Sequence, residues 1–227
     1  MRLVRTDFAG SVHLVHRYAP LNVTVRTPRL ELHGATDQRL DELGPLVHAG
    51  RANAEPAPYD DPISLYEPDP DVRVAKWLQG IWRGRGNVSP ESWRLYFVVL
   101  LEGRAVGMQD LIGHEFATHG TVMSFSWLSS DARRRGMGTE MRHAVLHLAF
   151  EGFGATEAAS EAFTDNTGSN GVSRALGYEP NGTTWSTRRG ERAPMHRWRL
   201  TRQAWQERRR QDITLSGVEA CRRTLGV

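Results

Sequence analysis

The chain has 227 residues, a mass of 25.5 kDa and a formal net charge of +3, with 39% apolar and 24% charged residues. That length fits one soluble domain with tails and room for a sizeable core, and so small a net charge gives no ground for a nucleic-acid partner. A single cysteine, Cys221, excludes an intramolecular disulfide framework and suits a reducing, cytoplasmic location, and no apolar run reaches the roughly 18–20 residues that would span a bilayer.

Taken in order, residues 1–21 read as an N-terminal extension. It is broken by Arg2, Arg5, Asp7, His13 and Arg17 and lacks the apolar core of a signal peptide. Asn22 to His33 alternates at Val23, Val25, Leu30 and Leu32, a strand interrupted by Pro28. Thr36 or Asp37 can cap a helix carrying Leu40, Leu43, Leu46 and Val47. Residues 51–70 hold Pro56, Pro58, Pro62, Pro68 and Pro70 and form a loop long enough to have a function. Asp71 then opens a second helix with Val74, Trp77, Leu78, Ile81 and Trp82 on one stripe.

Trp93–Leu101 and Ala105–Ile112 read as a hairpin around Glu102-Gly103-Arg104, and Thr121–Leu128 as the next strand. From Gly136 to Gly152 the apolar residues Met137, Met141, Ala144, Val145, Leu148 and Ala149 keep helical spacing. Glu140, His143, His147 and Glu151 fall on the opposite, solvated face. Thr156–Phe163 reads as a strand and Thr167–Leu176 as a short helix closed by Gly177. A last strand pair surrounds Arg188-Arg189-Gly190, and residues 203–227 form a helical tail. Strands and helices in one mixed run give an α/β or α+β sheet with helices on its faces.

Charge is unevenly distributed. Glu55, Asp60, Asp61, Glu67, Asp69 and Asp71 occur with no Lys or Arg among them, while the chain from Arg188 on is rich in arginine. Two solvated faces would explain this; so would one surface for a cation and another for an anion.

The most telling segment is Arg133-Arg134-Arg135-Gly136-Met137-Gly138, between the strand ending at Trp127-Leu128 and a helix. A helix start has about four free N–H groups and a partial positive charge near +0.5. Glycines let a phosphate approach the backbone, and arginines add permanent cations. Charge-assisted bonds contribute about 1.5–3 kcal/mol each, so a few of them hold a diphosphate at micromolar strength. The pattern has neither the third glycine of a dinucleotide fold nor the Gly-Lys-Ser/Thr of a P-loop.

Strand, Arg-x-x-Gly-x-Gly at Arg133, Gly136 and Gly138, then helix, resembles the acetyl-CoA loop of the GNAT superfamily. Asn166-Thr167-Gly168-Ser169, running on to Ser173 and Leu176-Gly177-Tyr178, is similar to the block after that family's fifth strand. Thr27-Pro28-Arg29-Leu30-Glu31-Leu32 resembles the start of its RimJ/RimL-like branch.

The resemblance, over roughly residues 22–202, implies a mostly antiparallel sheet of about seven strands splayed between its fourth and fifth. It implies acetyl-CoA as cofactor, in the gap. Trp127, Leu128 and Ser129 would pair with pantetheine through their backbone. Arg133, Arg134, Arg135, Gly136, Met137, Gly138 and Thr139 would hold the pyrophosphate, and Asn166, Ser169 and Ser173 the rest of the donor. It implies N-acetylation of a peptide N-terminus or a small amine by direct attack. Ser173 occupies the position where many relatives have an acid tyrosine. The strand Thr121–Trp127 lacks the carboxylate many relatives use as base, which leaves Asp110, His114, Glu115, Glu161 or a water chain. Glu55, Asp60 and Asp61 could attract the amine, with Tyr59, Trp77, Trp82 and Trp93 as apolar walls, although Trp77 and Trp82 also share the helix's core stripe. No metal, nucleic acid or membrane is implied, and a monomer or homodimer is expected. A non-catalytic acyl-CoA-binding module and a transferase for longer acyl groups are the alternatives, with a nucleic-acid binder through Arg188–Arg210 behind them.

Overall fold

A computed structural model describes residues 17–60 and 64–227. Most of the expected N-terminal extension, and Asp61, lie outside the described residues. The interrupted first strand is two: β1 (Thr24–Arg26) and β2 (Leu30–Gly34), antiparallel with Val25 opposite Leu32. Helix α1 (Asp37–His48) starts where Thr36 Oγ1 accepts from Arg39 N, and α2 (Pro70–Gly86) where Asp69 accepts from Asp71 N and Val72 N.

Next comes the hairpin of β3 (Ser92–Leu101) and β4 (Arg104–His114). Glu102 and Gly103 both take positive φ, 50° and 76°, as the turn between twisted strands requires. A short helix α3 (Phe116–His119) leads to β5 (Thr121–Met123) and β6 (Ser126–Leu128), both antiparallel to β4. The remaining elements are α4 (Met137–His147), which runs on as a π-turn over Leu148–Gly152, β7 (Glu157–Phe163), α5 (Thr167–Ala175), β8 (Glu179–Arg188), β9 (Glu191–Thr201), α6 (Arg202–Gln206), β10 (Thr214–Ser216) and α7 (Val218–Leu225).

One sheet joins the strands in the order β10-β1-β2-β3-β4-β5-β7-β9-β8, with β6 also on β4. Only the β5–β7 pairing is parallel, and it spans Thr121↔Glu157 and Val122↔Ala158. The count of ten strands among the described residues exceeds the expected seven for three reasons. Pro28 splits the first strand, the expected strand 121–128 divides at Ser124-Phe125, and the C-terminal tail supplies β10, paired with β1. That tail also buries Trp205, Ile213, Cys221 and Leu225 in the main core.

Each face of the sheet has its own core. Helix α4 packs Met141, Ala144 and Val145 against residues such as Leu32, Phe97 and Leu111. Helices α1 and α2 cover Tyr96, Val98, Met108 and Trp127 on the opposite face with Leu40, Leu43 and Trp77. Several side chains depart from expectation. Trp82 is 47% exposed, because its Nε1 donates to Asp37 Oδ1 at 3.0 Å at the surface rather than joining Trp77 in the core. Glu140 and His147 are buried, not solvated. The tail explains His147, whose ring stands edge-on to Trp205 at 5.9 Å.

Candidate active site

The sheet forks where β5 gives way to β6. Both pieces keep one register with β4, from Gly113↔Val122 to Gly107↔Leu128. Beyond Val122↔Ala158, however, no rung joins them to β7 among the described residues. Gln109, fully buried in β4, marks the fork. Its amide donates to Asp110 O at 3.1 Å and to Phe125 O at 3.0 Å, so it holds the loosened stretch at Ser124-Phe125.

Alternation then decides which groups face the gap. Ser129 N donates to Val106 O at 2.8 Å and Asp110 N to Phe125 O at 2.7 Å, so odd-numbered residues of this stretch turn their backbone to β4. Ser126 therefore presents both of its backbone groups to the fork, and Leu128 its N–H, since the Leu128 carbonyl accepts from Arg133 Nε. This corrects the expectation of backbone pairing by Trp127 and Ser129: of the three expected residues, Leu128 alone faces the gap, and Ser126 joins it.

At the mouth of the fork stands the start of α4. Thr36, Asp69, Asn166 and Thr201 cap their helices with side chains, but α4 begins on Gly136 at φ 77°, which supplies none. The first-turn N–H groups of Met137, Gly138 and Thr139 thus lack a side-chain partner among the described residues. Arg134, also at positive φ (57°), and Arg135 are exposed beside them. Two left-handed residues before a helix shape a concave row of N–H groups suited to an anion. Val172 of α5 stands 3.6 Å from where a Cβ on Gly138 would lie, so the two helices close in here.

Arg133 is a correction. Its Nε donates to Leu128 O at 2.9 Å, Nη1 to Asn53 O at 2.8 Å, and Nη2 to Ala52 O at 2.6 Å and Arg51 O at 3.2 Å. Four backbone carbonyls take four of the guanidinium's five N–H groups, and it ties the loop after α1 to the end of β6.

The loop is in turn anchored by Arg29 and Glu140. Glu140 Oε1 accepts from Thr27 Oγ1 at 2.6 Å and Arg29 N at 3.1 Å, Oε2 accepts from Arg29 Nε at 2.6 Å, and Arg29 Nη1 donates to Arg135 O at 3.1 Å. Burial raises the Glu140 carboxyl, but these bonds outweigh it and hold it below its ordinary 4.5.

On the α5 side, Asn166 Oδ1 accepts from Ser169 N at 3.0 Å and its amide donates to Pro58 O at 3.3 Å. Asn166 and Ser169 thus form a helix cap that also touches the loop. Ser173 is fully buried, and its Oγ has no hydrogen-bond partner among the described residues.

On the α1–α2 face the fork is lined by Phe125, Tyr59 and Tyr66; the Tyr59 ring lies 5.0 Å from Phe125 and 5.7 Å from Tyr66. Asp110 reaches the same neighbourhood. Arg94 donates to its Oδ2 from Nε at 2.8 Å and stacks over Phe125 and Tyr96, while Oδ1 is buried without a hydrogen-bond partner among the described residues. Burial pushes the Asp110 carboxyl up to about 6 against the pull of Arg94.

The other candidates fare differently. Glu161 shares that face but pairs with Arg197 at 3.2 Å. His114 and Glu115 sit at the closed end, where His114 Nδ1 meets Ser92 Oγ at 3.0 Å. Trp93 lies on the opposite face against Phe116 and Phe153, since odd-numbered residues of β3 point to α4. Glu55 and Asp60 are engaged by the β8–β9 turn: Arg189 N donates to Asp60 Oδ1 at 3.0 Å, and Arg189 Nη2 lies 3.6 Å from Glu55. Both carboxylates thus touch the β8–β9 turn as well as belonging to the loop. Arg188 adds a two-pronged pair with Asp165 at 2.9 and 3.0 Å.

A forked sheet with free backbone groups, an uncapped helix start and a buried orphan hydroxyl fit a long donor carrying amides and a diphosphate. No set of His, Cys, Asp and Glu among the described residues could hold a metal ion, and no described helix is long and apolar enough to cross a membrane.

The family model described as acetyltransferase (GNAT) domain matches residues 29–179, more than half of the chain. Among solved structures, RimJ of Mycobacterium smegmatis in complex with CoA-disulfide is similar at TM-score 0.66 and 17% identity, over 81% of this chain and 88% of that one. RimL, the ribosomal L7/L12 alpha-N-protein acetyltransferase in complex with coenzyme A, gives 0.58 and 15% over 77% and 95%. The microcin C7 self-immunity acetyltransferase MccE, in complex with acetyl-CoA and AMP, gives 0.58 and 12% over 77% and 93%. At these identities the likeness is one of fold.

Proposed function

The chain belongs to the GNAT acetyltransferase family, whose members are N-acetyltransferases that use acetyl-CoA, and from that premise we propose that it acetylates a primary amine seated under the 51–60 loop. The observation that carries this reading is the fork between β6 and β7 with the uncapped start of α4 at its mouth.

Acetyl-CoA supplies a thioester carbonyl reactive toward amines. Ser126, through its N–H and C=O, and Leu128, through its N–H, would hold its amide-bearing arm. The N–H groups of Met137, Gly138 and Thr139, with Arg134 and Arg135, would hold its diphosphate.

Asp110 serves as the base. A carboxylate near 6 is ionised at neutral pH yet basic enough to take a proton at Oδ1 from a bound ammonium, and Arg94 on Oδ2 fixes its orientation. The Ser173 hydroxyl donates toward the leaving sulfur. Tyr59, Tyr66 and Phe125 exclude water around the amine.

The acceptor is a peptide N-terminus or a small-molecule amine. The name of the RimL neighbour, an alpha-N-protein acetyltransferase, supports the first.

The test is to incubate the protein with acetyl-CoA and a panel of peptides and small amines, reading free thiol and the mass of each product. Asp110→Asn should lower kcat by about 10²–10⁴-fold with CoA affinity unchanged. Thiol release by Asp110→Asn at the wild-type rate would remove the aspartate from this role, and no acetylated product from any amine would favour a donor-binding module without turnover.

A further inference from the structure

The two ends of the sheet are treated differently. At one end β10 is three residues long. At the other, β8 is ten residues long, exposed along most of its length, and has no further neighbour among the described residues. A long open edge pairs readily with another strand, and chains usually blunt it with charge, proline or a bulge. Here the blunting is confined to the start, at Pro180 and the register shift before Thr183. From Thr183 to Thr187 the sequence is Thr-Thr-Trp-Ser-Thr, with no charge and no proline.

The backbone direction follows from β9. Trp185 lies opposite Pro194, which has no N–H, and the Pro194 carbonyl accepts from Thr164 N at 3.0 Å on the β7 side. Nothing can therefore bond between 185 and 194, and the Trp185 N–H and C=O point out of the sheet. By the period of two, so do those of Thr183, opposite His196, and of Thr187, opposite Arg192. Three donors and three acceptors thus stand along the free edge. Trp185 is 57% exposed, and its ring is held under Arg192, 3.6 Å from the guanidinium carbon, so it lies along the sheet face.

The edge is also symmetric about Trp185: Thr183 mirrors Thr187, and Thr184 mirrors Ser186. We propose that β8 is a self-pairing edge, joining a second copy of this chain antiparallel about a two-fold axis at Trp185. Trp185 then meets its own copy, and Thr183 meets Thr187 in both directions. All six outward groups are satisfied, hydroxyl side chains face hydroxyl side chains, and no like charges meet across the central five residues. The two sheets become one, with both forks opening on the same face. The turn bearing Arg188 and Arg189, which secures the loop over each fork, continues directly from the joined strands.

The test uses the full chain. Light scattering after gel filtration should give twice the 25.5 kDa monomer mass, and Trp185→Lys should halve it while keeping the circular dichroism spectrum and CoA binding. The register is read by cysteine cross-linking, because the natural Cys221 is buried. Trp185→Cys should form a disulfide-linked dimer on oxidation. Thr183→Cys alone should not, and Thr183→Cys with Thr187→Cys together should. A wild-type monomer at every concentration, including one whose β8 takes up a peptide strand instead, overturns the proposal. So do a dimer that survives Trp185→Lys and cross-linking of Thr183→Cys alone as fast as Trp185→Cys.

Discussion

Arg29 grips Glu140 across the start of α4, with Nε 2.6 Å and Nη2 2.5 Å from Oε2. The pair fixes from behind the loop proposed to hold the diphosphate, so its loss should be felt in donor binding. Arg29→Ala should lower stability by about 1.5–3 kcal/mol, the range for hydrogen bonds to a charged group, and weaken CoA binding in a calorimetric titration. An unchanged CoA affinity would reduce the pair to a structural tie.

Its pH signature has a definite sign. The Glu140 carboxyl is lowered in the folded state, so its contribution is present above the unfolded value of 4.5 and is lost as pH falls through the folded value. Melting temperature between pH 7 and pH 3 should therefore fall more steeply for wild type than for Glu140→Gln. Parallel curves would show that the carboxylate gains nothing from Thr27 and Arg29.

Three adjacent arginines should separate into two classes. Arg133→Ala removes bonds to four carbonyls and should lower the melting temperature and raise the amine KM. Arg134→Ala with Arg135→Ala should leave the melting temperature alone and weaken CoA about tenfold, roughly 1.4 kcal/mol, less so at high salt. The reverse pattern would return Arg133 to the phosphate.

Asp110 has the opposite sign to Glu140. Its folded value of about 6 lies above the ordinary 3.8, so between those values the folded state holds a proton that the unfolded state has lost. This group's contribution therefore declines as pH rises from about 4 to 6 and is constant above. Asp110→Asn should flatten that part of the stability profile, and wild-type kcat should rise with an inflection near 6. A rate independent of pH from 5 to 8 would point to another base.

Gly107 controls the fork mechanically. A Cβ there would overlap the Trp127 carbonyl oxygen, which is backbone and cannot swing aside. Gly107→Ala should push β6 off β4, lowering both the melting temperature and CoA affinity. Wild-type affinity in this variant would mean that the fork tolerates a shifted β6.

What the sequence could reveal followed from local physics. The α4 stripe, the glycine at its start and the hairpin read over 93–101 and 105–112 are periodic or rely on turn chemistry; the hairpin stands slightly longer, and α4 ends at His147 and runs on as a π-turn to Gly152. Roles set by distant partners were hidden. Arg133 reads as a cation beside two others, and only the return of residues 51–53 shows where its guanidinium goes. Glu140 has the spacing of a solvated face until Arg29 arrives from 111 positions away. Trp93 and Trp82 look alike as apolar candidates, yet Trp93 packs under the sheet on Phe116 and Phe153 while Trp82 stays at the surface on Asp37. The one available signal for Glu140 was its place in the first turn behind Gly136, where an acid complements the helix dipole.

Asn166 serves two masters: one end of its amide caps α5, and the other holds the Pro58 carbonyl. In the proposed site Asn166 would stand between the donor and the amine, and thermodynamic reciprocity would then apply to it. Any factor by which CoA tightens the amine must be the factor by which the amine tightens CoA. Titrating each in the presence of the other measures that factor, and Asn166→Ala should bring it toward one.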